Sequence, residues 1–188
     1  MDYSYKQKGF TLIELVIVLA ICAVCLGGAI PSLNQVWDAS NRRSAVNDLV
    51  SLINLARTTA IQEHSVITLC PLGSDNKCIS DWNRPISVFR DPGRAKELTA
   101  DSQLLRTLAA PQSGHLIVRS ANRPYFQFQP TGIARFAIGN IIWCPEDNDS
   151  SLASQIRINM GGRPSISKDR DGDGVVEGSD GQPISCSA

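Results

Sequence analysis

The stretch from Phe10 to Ala29 constrains this chain most, because its 20 residues carry a single charge, that of Glu14. As an α-helix it would be about 30 Å long at 1.5 Å per residue, which matches the hydrocarbon thickness of a bilayer. The preceding residues include Lys6 and Lys8, so the positive-inside rule places the amino terminus in the cytoplasm. The sequence therefore predicts a membrane-spanning helix over 10–30.

Two features distinguish this segment from an ordinary secretory signal. Such signals have an apolar region of about 7–15 residues that ends at a small-x-small cleavage site. This run is longer and continues through Gly27 and Gly28 to Pro31. A lone carboxylate such as Glu14 also costs a few kcal/mol inside a bilayer and usually has a partner. A function for Glu14 is therefore expected.

The string Lys8-Gly9-Phe10-Thr11-Leu12-Ile13-Glu14 resembles the class III signal of type IV prepilins. The resemblance implies that residues 1–9 are a leader, cleaved after Gly9 by a prepilin peptidase that also N-methylates Phe10. It further implies that Glu14 pairs with the N-terminal ammonium of a neighbouring subunit during assembly, since each charge needs the other once water is excluded. Pro31 matches a proline that softens the helix in many pilins, because proline removes one backbone donor.

The helix is predicted to continue beyond the membrane. Apolar residues recur there at i, i+3, i+4 and i+7 spacing, which is typical of an amphipathic helix. They are Val46, Leu49, Val50, Ile53, Ala56, Ala60 and Ile61. We expect one helix from about Phe10 to Glu63, with residues 31–63 as its amphipathic half. Two helices separated at Pro31 or Ser40 are the alternative.

Residues 64–188 have the pattern of a β-sheet domain. Short β-like runs alternate with Gly, Pro, Asn and Asp, which favours an antiparallel sheet. The predicted strands are Val66–Cys70, Ile86–Phe89, Leu116–Arg119, Tyr125–Phe128, Ile133–Trp143, Ile156–Asn159 and Arg163–Ser167. An amphipathic N-terminal helix packed on such a sheet is an α+β fold. The Gly/Asp-rich end, from Asp169 to Ala188, is expected to be loop.

The six cysteines fall into two groups. Cys22 and Cys25 lie in the apolar helix and are expected to pack there as small hydrophobic residues. The other four belong to the exported domain, where an even number in an oxidising compartment indicates two disulfides. Three pairings exist, and we favour Cys70–Cys78, which closes a short loop, with Cys144–Cys186, which ties the tail to the sheet. A zinc site is disfavoured because no CxxC pair occurs.

Further strings in the exported domain resemble the GspH/FimT/FimU branch of the type IV pilin-like proteins. They are Val66-Ile67-Thr68-Leu69-Cys70, then Cys78 with Trp82, Val88-Phe89-Arg90-Asp91, Ala56-Arg57, Phe128-x-Pro130-x-Gly132, Trp143-Cys144 and Gly162-Arg163. The resemblance implies the type IV pilin fold and a minor pilin that primes pilus assembly or lies at the tip. The minor pseudopilin H of a type II secretion system is the alternative, which the sequence leaves open.

Enzymatic activity is not expected. His64 and His115 are the only histidines, and neither belongs to a nucleophile motif; no phosphate-binding glycine loop is present. The formal net charge is zero, with 18 basic and 18 acidic side chains, which argues against nonspecific coating of nucleic acid. We therefore expect a structural protein.

The segment from Asp169 to Asp180 has the spacing of an EF-hand-type calcium loop. Oxygen ligands occur at its positions 1, 3, 5, 7, 9 and 12, and Gly174 at position 6 permits the sharp turn. These ligands are Asp169, Asp171, Asp173, the Val175 carbonyl, Glu177 and Asp180. Asp at position 12 is shorter than the usual Glu, and no flanking helices are expected. An Asp/Gly-rich turn without an ion is the alternative; with an ion, the calcium would be structural and would order the tail.

A DNA interface is a further hypothesis. Some FimT proteins, which this chain resembles, contribute to DNA uptake through a Gly-Arg-x-Arg motif, and here Gly162-Arg163-Pro164-Ser165 keeps only the first arginine. A few basic residues on one edge can bind phosphates locally. The candidates are Arg157, Arg163, Lys168 and Arg170. The neighbouring aspartates would repel DNA unless a cation neutralised them, and a solvated loop of mixed charge is the alternative.

Partners and location follow from the resemblance. It implies contacts with other minor and major pilins, with the prepilin peptidase, and with the pilus assembly platform in the inner membrane. The protein is expected to cross that membrane once, with its C-terminal domain in the periplasm, and to enter the fibre or its tip after assembly.

Overall fold

The computed structural model of the protein describes residues 9–134 and 138–187, and within the helix it describes no side chain for residues 25–36 and 38. The leader residues 1–8 and the side chain of Pro31 therefore lie outside the described part of the chain. The chain divides into two compact units, residues 1–38 and residues 39–188.

Helix α1 extends from Leu12 to Gln62 without interruption. It passes positions 31 and 40, so the alternative of two separate helices is not observed, and it ends one residue before the predicted boundary. In the first unit, every described side chain from Phe10 to Val24 is exposed. Within the described residues, no helical stretch has both the length and the mean hydropathy that crossing a membrane requires.

The part of α1 that belongs to the second unit buries an apolar face. Val46, Leu49, Ile53, Ala56 and Ala60 are at most 5% exposed, as the spacing predicts. Three positions differ: Val50 is only partly buried, Leu52 is fully buried and Ile61 is 36% exposed. The buried face is wider around Leu52 than a single stripe because strands of two sheets contribute to the same core.

The β domain consists of two four-stranded antiparallel sheets. The strands are β1 Ile67–Pro71, β2 Ile86–Arg90, β3 Leu104–Leu108, β4 His115–Arg119, β5 Phe126–Phe128, β6 Gly139–Cys144, β7 Ser154–Ile158 and β8 Pro164–Ile166. The first sheet has the order β3-β2-β1-β5, and the second has the order β4-β6-β7-β8. Strand β1 is buried along its whole length, because it lies between β2 and β5 and its faces contact the core.

The structure corrects the predicted strands in three ways. One sheet was expected and two are present. Strand β3 was not predicted, since this edge strand is half-buried at best and its sequence shows little alternation. The run Ile133–Trp143 is not one strand: Ala134 forms an isolated bridge with Phe128, and β6 begins only at Gly139. Residues 135–137 of that run lie outside the described part.

Candidate sites for assembly, cation binding and nucleic acid

The amino-terminal end of α1 is closed by a reciprocal pair of hydrogen bonds. The backbone N–H of Glu14 donates to Thr11 Oγ1 at 3.3 Å, and the backbone N–H of Thr11 donates to Glu14 Oε2 at 3.5 Å. This is a capping box, in which two otherwise unpaired backbone donors are satisfied. The sequence motif of a capping box is Thr-x-x-Glu, and it is present at Thr11–Glu14. The cap was not predicted from the sequence, because only the charge of Glu14 was considered there. Glu14 therefore has a local role in helix capping as well as any role in assembly.

The residues around Glu14 form an exposed apolar surface. Phe10 is 86% exposed and Leu12 is 82% exposed, and Cys22 is exposed with a free thiol. Cys22 therefore has no packed environment within its own unit. Large apolar side chains exposed in such a continuous run need lipid or other helices to cover them.

Two disulfides join the four cysteines of the β domain in the favoured pairing. Cys70, at 0% exposure on β1, bonds to Cys78 eight residues later, beside Phe89 and Leu98. The bond closes the turn that follows β1.

Cys144, at the end of β6, bonds to Cys186 across 42 residues. Ile184 and Cys186 are buried there against Ile142 and Ala153, so the tail supplies part of a small second core. The tail is therefore tied to the second sheet by a covalent bond and by packing.

Asp91 is a buried carboxylate that accepts several hydrogen bonds. From the sequence it was noted only as a member of the Val88-Phe89-Arg90-Asp91 string that resembles the family. Its carboxylate is 3% exposed and accepts hydrogen bonds from the Thr68 hydroxyl, the Gln127 amide and the backbone N–H groups of Ala95 and Lys96. The distances are 2.7–3.1 Å. A carboxylate so well satisfied can be buried without an ion pair. Asp91 therefore fixes the turn after β2 to strands β1 and β5.

Gly132 and Gly162 meet beneath the end of α1. Both have positive φ, +78° and +72°, and a Cβ on Gly162 would collide with the Gly132 carbonyl oxygen. Arg57 of α1 donates from Nε to the carbonyl oxygen of Gly161 at 3.1 Å. The three strings Ala56-Arg57, Phe128-x-Pro130-x-Gly132 and Gly162-Arg163 therefore converge at one helix–sheet junction. This gives Gly162 a structural role that does not depend on DNA.

The Asp/Gly-rich loop brings four carboxylates together. Oxygen atoms of Asp169, Asp171, Asp173 and Glu177 all lie within 4.8 Å of one another. Gly174 has φ of +91°, the left-handed conformation that the sharp turn requires. Backbone N–H groups of Gly172 and Gly174 donate to Asp169, at 2.7 and 2.9 Å. Four of the six predicted ligand residues thus converge.

Glu177 differs from the three aspartates because it is 6% exposed. Its Oε2 accepts a hydrogen bond from the backbone N–H of Arg170 at 2.9 Å. The predicted ligand Asp180 is outside the group; its carboxylate accepts from the N–H of Gln182 in a turn at which Gly181 has φ of +76°. For Val175 the structure records an N–H donated to Asp173.

The basic residues proposed to bind DNA differ in their exposure to solvent. Arg163, Lys168 and Arg170 are exposed, whereas Arg157 is half-buried on β7 and its Nε atom has no hydrogen-bond partner among the described residues. The strand register brings one further basic residue, Arg119, into this set. Arg119 on β4 pairs with Asn140 on β6, and Asn140 pairs in turn with Arg157 on β7. Arg119 therefore shares a face of the second sheet with Arg157, at a distance of two strands.

Glu63 and Arg90 form a salt bridge. Arg90 donates from Nε and Nη2 to the two Glu63 carboxylate oxygens, each at 2.6 Å. These hydrogen bonds lower the pKa of Glu63 and raise the pKa of Arg90. The pair joins the end of α1 to the end of β2, and its two side chains remain about one-third exposed.

Two family models match the chain. The model of type II transport protein GspH matches residues 45–162, and that of the prokaryotic N-terminal methylation motif matches residues 4–30. The first match covers more than half of the chain. The protein belongs to the GspH family. Its N-terminal segment carries the prepilin signal that the sequence predicts.

Curated relatives and solved structures agree with the family. Type II secretion system core protein G of Pectobacterium carotovorum subsp. carotovorum is 40% identical over 49 residues, and that of Escherichia coli K12 is 32% identical over 64 residues. These matches cover 26% and 34% of this chain but only 31% and 44% of the relatives. The chain therefore spans less than half the length of the curated relatives it matches.

Two crystal structures of the minor pilin FimU from Pseudomonas aeruginosa PAO1 share the fold. Their TM-scores are 0.54 and 0.52 at 17% identity, with 79% and 77% of this chain and 96% and 99% of those chains covered. The GspH-family chain therefore has the type IV pilin fold, an N-terminal helix packed on antiparallel sheets. It is a minor pilin or pseudopilin, a structural protein and not an enzyme.

Proposed function

We propose that the protein is a minor type IV pilin of the FimT/FimU kind, which primes pilus assembly or lies at the fibre tip. Its helix crosses the inner membrane once, its β domain faces the periplasm, and other minor and major pilins join it at the assembly platform. The observation that carries this proposal is the continuous exposed apolar surface from Phe10 to Val24, on the segment with the methylation motif. Such a surface is stable only in lipid or among other helices.

Processing by a prepilin peptidase is part of the proposal, with cleavage after Gly9 and methylation of Phe10. Among the described residues, nothing lies within 4 Å of a Cβ placed on Gly9, so a substitution there meets no steric obstacle from them. Gly9→Val is expected to abolish cleavage, measured by mass spectrometry of the membrane-extracted protein. A correctly processed and methylated Gly9→Val protein would remove the peptidase from the proposal.

Glu14 is proposed to pair with the N-terminal ammonium of a neighbouring subunit. Because Glu14 also caps α1 with Thr11, its charge and its capping must be tested separately. Glu14→Val removes both, Glu14→Gln keeps a side chain suited to the capping box, and Thr11→Ala removes the cap but keeps the charge. We expect both Glu14 variants to insert in the membrane but to be absent from sheared fibres, with Thr11→Ala incorporated. Normal incorporation of Glu14→Gln would contradict the charge-pairing role.

The alternative function is that of minor pseudopilin H in a type II secretion system. It is favoured by the description of the matching family and by the core protein G relatives. Deletion of the gene separates the two functions: loss of surface pili with normal secretion supports the pilus, and loss of secreted proteins from the medium with normal pili supports the secretion system.

A structural calcium ion is a second proposal, and Glu177 is the observation that favours it. A carboxylate at 6% exposure, close to three others, faces repulsion that no described salt bridge relieves. Ca²⁺ prefers such carboxylate oxygens, and Asp169, Asp171, Asp173 and Glu177 would hold it. The ion would order the tail next to the Cys144–Cys186 bond.

The calcium proposal is tested by thermal unfolding of the full chain in detergent. Added Ca²⁺ is expected to raise Tm and EGTA to lower it; saturation at 100 times Kd corresponds to about 2.7 kcal/mol. Asp171→Asn should remove the calcium response, whereas Asp147→Asn, at an exposed site outside the group, should keep it. A Tm that neither EGTA nor Ca²⁺ changes would refute the site.

We also propose that the basic residues bind DNA. The position of Arg119 supports this proposal, because it adds a further basic side chain to the face that carries Arg157. The face shared by Arg119 and Arg157, together with Arg163, Lys168 and Arg170, would contact phosphates. DNA affinity is measured by a mobility-shift titration at low salt. We expect Arg163→Gln to lower this affinity and Ca²⁺ to raise it, because Ca²⁺ neutralises the neighbouring aspartates. Arg106→Gln, on edge strand β3 of the other sheet, is the matched control. Equal binding by all three proteins would exclude this face.

A further inference from the structure

A polar cavity of about 280 Å³ lies beside β4, away from the residues considered so far. It is bounded by the segment Ser80–Asn83 on one side and by the turn Ser120–Arg123 on the other, with Leu116 and Val118 on its floor. Its volume is close to the lower end of the roughly 300–1,000 Å³ range of small-ligand sites.

Trp82 gives this cavity its strongest sign of a ligand. The residue is 4% exposed and its ring packs edge-on against Phe126, with centroids 5.5 Å apart. Among the described residues, nothing accepts a hydrogen bond from its indole N–H. The other buried tryptophan, Trp143, donates its indole N–H to the Ser113 carbonyl oxygen at 3.2 Å. The Trp82 Nε1 atom is not among the fully buried atoms that lack a partner, so its N–H reaches the cavity and can donate to an acceptor bound there.

The polar groups of the cavity suit a neutral ligand. Asp81 would repel an anion and Arg123 would repel a cation, while Asn83 and Asn122 offer amide groups that both donate and accept. The turn that carries Asn122 is held by hydrogen bonds between Ser120 and Arg123, with Asn122 at φ of +60°. The donors and acceptors are therefore fixed in place before a ligand arrives.

The hydrogen bond made by Asn83 indicates whether the ligand is a small molecule or an added peptide strand. Strand β4 is an edge of the second sheet, and such an edge normally offers its backbone to an added strand. Here Asn83 Oδ1 already accepts the backbone N–H of Leu116 at 2.7 Å. The edge beside the cavity is therefore occupied by a side chain, which disfavours strand addition.

We propose that this cavity binds a neutral carbohydrate. A sugar unit presents vicinal hydroxyls, which pair with the Asn83 and Asn122 amides and the Asp81 carboxylate, and an apolar C–H face, which rests on Leu116 and Val118. One of its oxygen atoms accepts the Trp82 indole N–H. The protein thereby gains a saccharide-binding site on its β domain, separate from the apolar helix surface that serves assembly.

The indole N–H signals provide the test. The ¹⁵N-labelled full chain, in dodecylphosphocholine micelles that carry no sugar, is titrated with maltotriose, raffinose and tri-N-acetylchitotriose. We expect at least one trisaccharide to shift the Trp82 indole signal saturably and to leave the Trp143 signal unchanged. Trp82→Phe and Trp143→Phe assign these two signals among the three indole signals of the chain, the third of which belongs to Trp37.

Two variants and one control complete the design. Asp81→Ala and Asn122→Gly are expected to raise the apparent Kd at least tenfold; glycine keeps the positive φ of Asn122, so the turn is retained. Asn148→Gly, an exposed site outside the cavity with the same φ of +60°, should bind like the wild type. The proposal is overturned if no trisaccharide shifts the Trp82 signal, if both indole signals move together, or if triglycine alone produces the saturable shift.

Discussion

Thr68 Oγ1 donates a hydrogen bond to Asp91 Oδ2 across 2.8 Å, in an interior where the two residues are 0% and 3% exposed. The Gln127 amide donates to both of these oxygens, so β1, β5 and the turn after β2 share one polar network inside an apolar core. A buried network of this kind stabilises only while every member is satisfied.

Asp91→Asn should therefore destabilise the protein. The amide places a donor where the carboxylate accepted hydrogen bonds, and the loss of charged hydrogen bonds in the interior costs about 1.5–3 kcal/mol. Urea unfolding followed by tryptophan fluorescence measures the effect. Asp101→Asn, at an exposed site, should change the free energy of unfolding by less than about 0.5 kcal/mol. Equal stability of the two variants would show that the network contributes little.

Gly162→Ala is expected to lower the free energy of unfolding for two reasons that can be tested separately, the backbone conformation and a steric collision. The positive φ costs an alanine about 1–2 kcal/mol, and the collision with the Gly132 carbonyl oxygen adds to it. Gly181→Ala is the matched control, because Gly181 also has positive φ, at +76°, but no described residue lies within 4 Å of a Cβ placed there. Thermal unfolding should show a larger loss for Gly162→Ala. If both variants lose the same stability, the close approach is relieved by a shift of the loop.

The two disulfides should contribute unequally. The chain-entropy relation gives about 2.6 kcal/mol for a loop of the Cys70–Cys78 size and about 4.0 kcal/mol for one of the Cys144–Cys186 size. The double variants Cys70→Ser/Cys78→Ser and Cys144→Ser/Cys186→Ser, compared by denaturant unfolding, measure the difference. A non-reducing peptide map of the wild type checks the pairing itself. A larger loss from the shorter loop would mean that packing around Cys70 outweighs chain entropy.

The Glu63–Arg90 pair should stabilise at neutral pH and not in acid. Since its pKa in the folded state is lowered, Glu63 contributes stability that is complete above its unfolded pKa of about 4.3 and is lost as pH falls through the folded pKa. The side chains are about one-third exposed, so the contribution is expected to be about 0.2–1 kcal/mol. Glu63→Gln should be less stable than the wild type at pH 7 and equal to it at pH 2. A difference that persists unchanged at pH 2 would exclude the ion pair as its cause.

The pattern of local spacing explains which predictions succeeded. The amphipathic stripe of α1 was readable because a helix repeats within four residues, and the turn at Gly174 was readable because glycine alone tolerates its φ without cost. Strand β3 escaped prediction because neither face of it is fully buried. The predicted ligand Asp180 lies outside the carboxylate group, where its side chain accepts a hydrogen bond from Gln182 in the turn at Gly181.

The sequence alone determined the apolar helix with its prepilin signal, the α+β class and the family, since each depends on residues close together in the chain. Only the tertiary structure decided that Asp91 joins the turn after β2 to strands β1 and β5, that Gly162 lies against Gly132, and that Trp82 borders a polar cavity. These contacts join residues 23 or more positions apart. Their formation depends on sheet register and on the packing of two sheets against one helix, which no short-range pattern encodes.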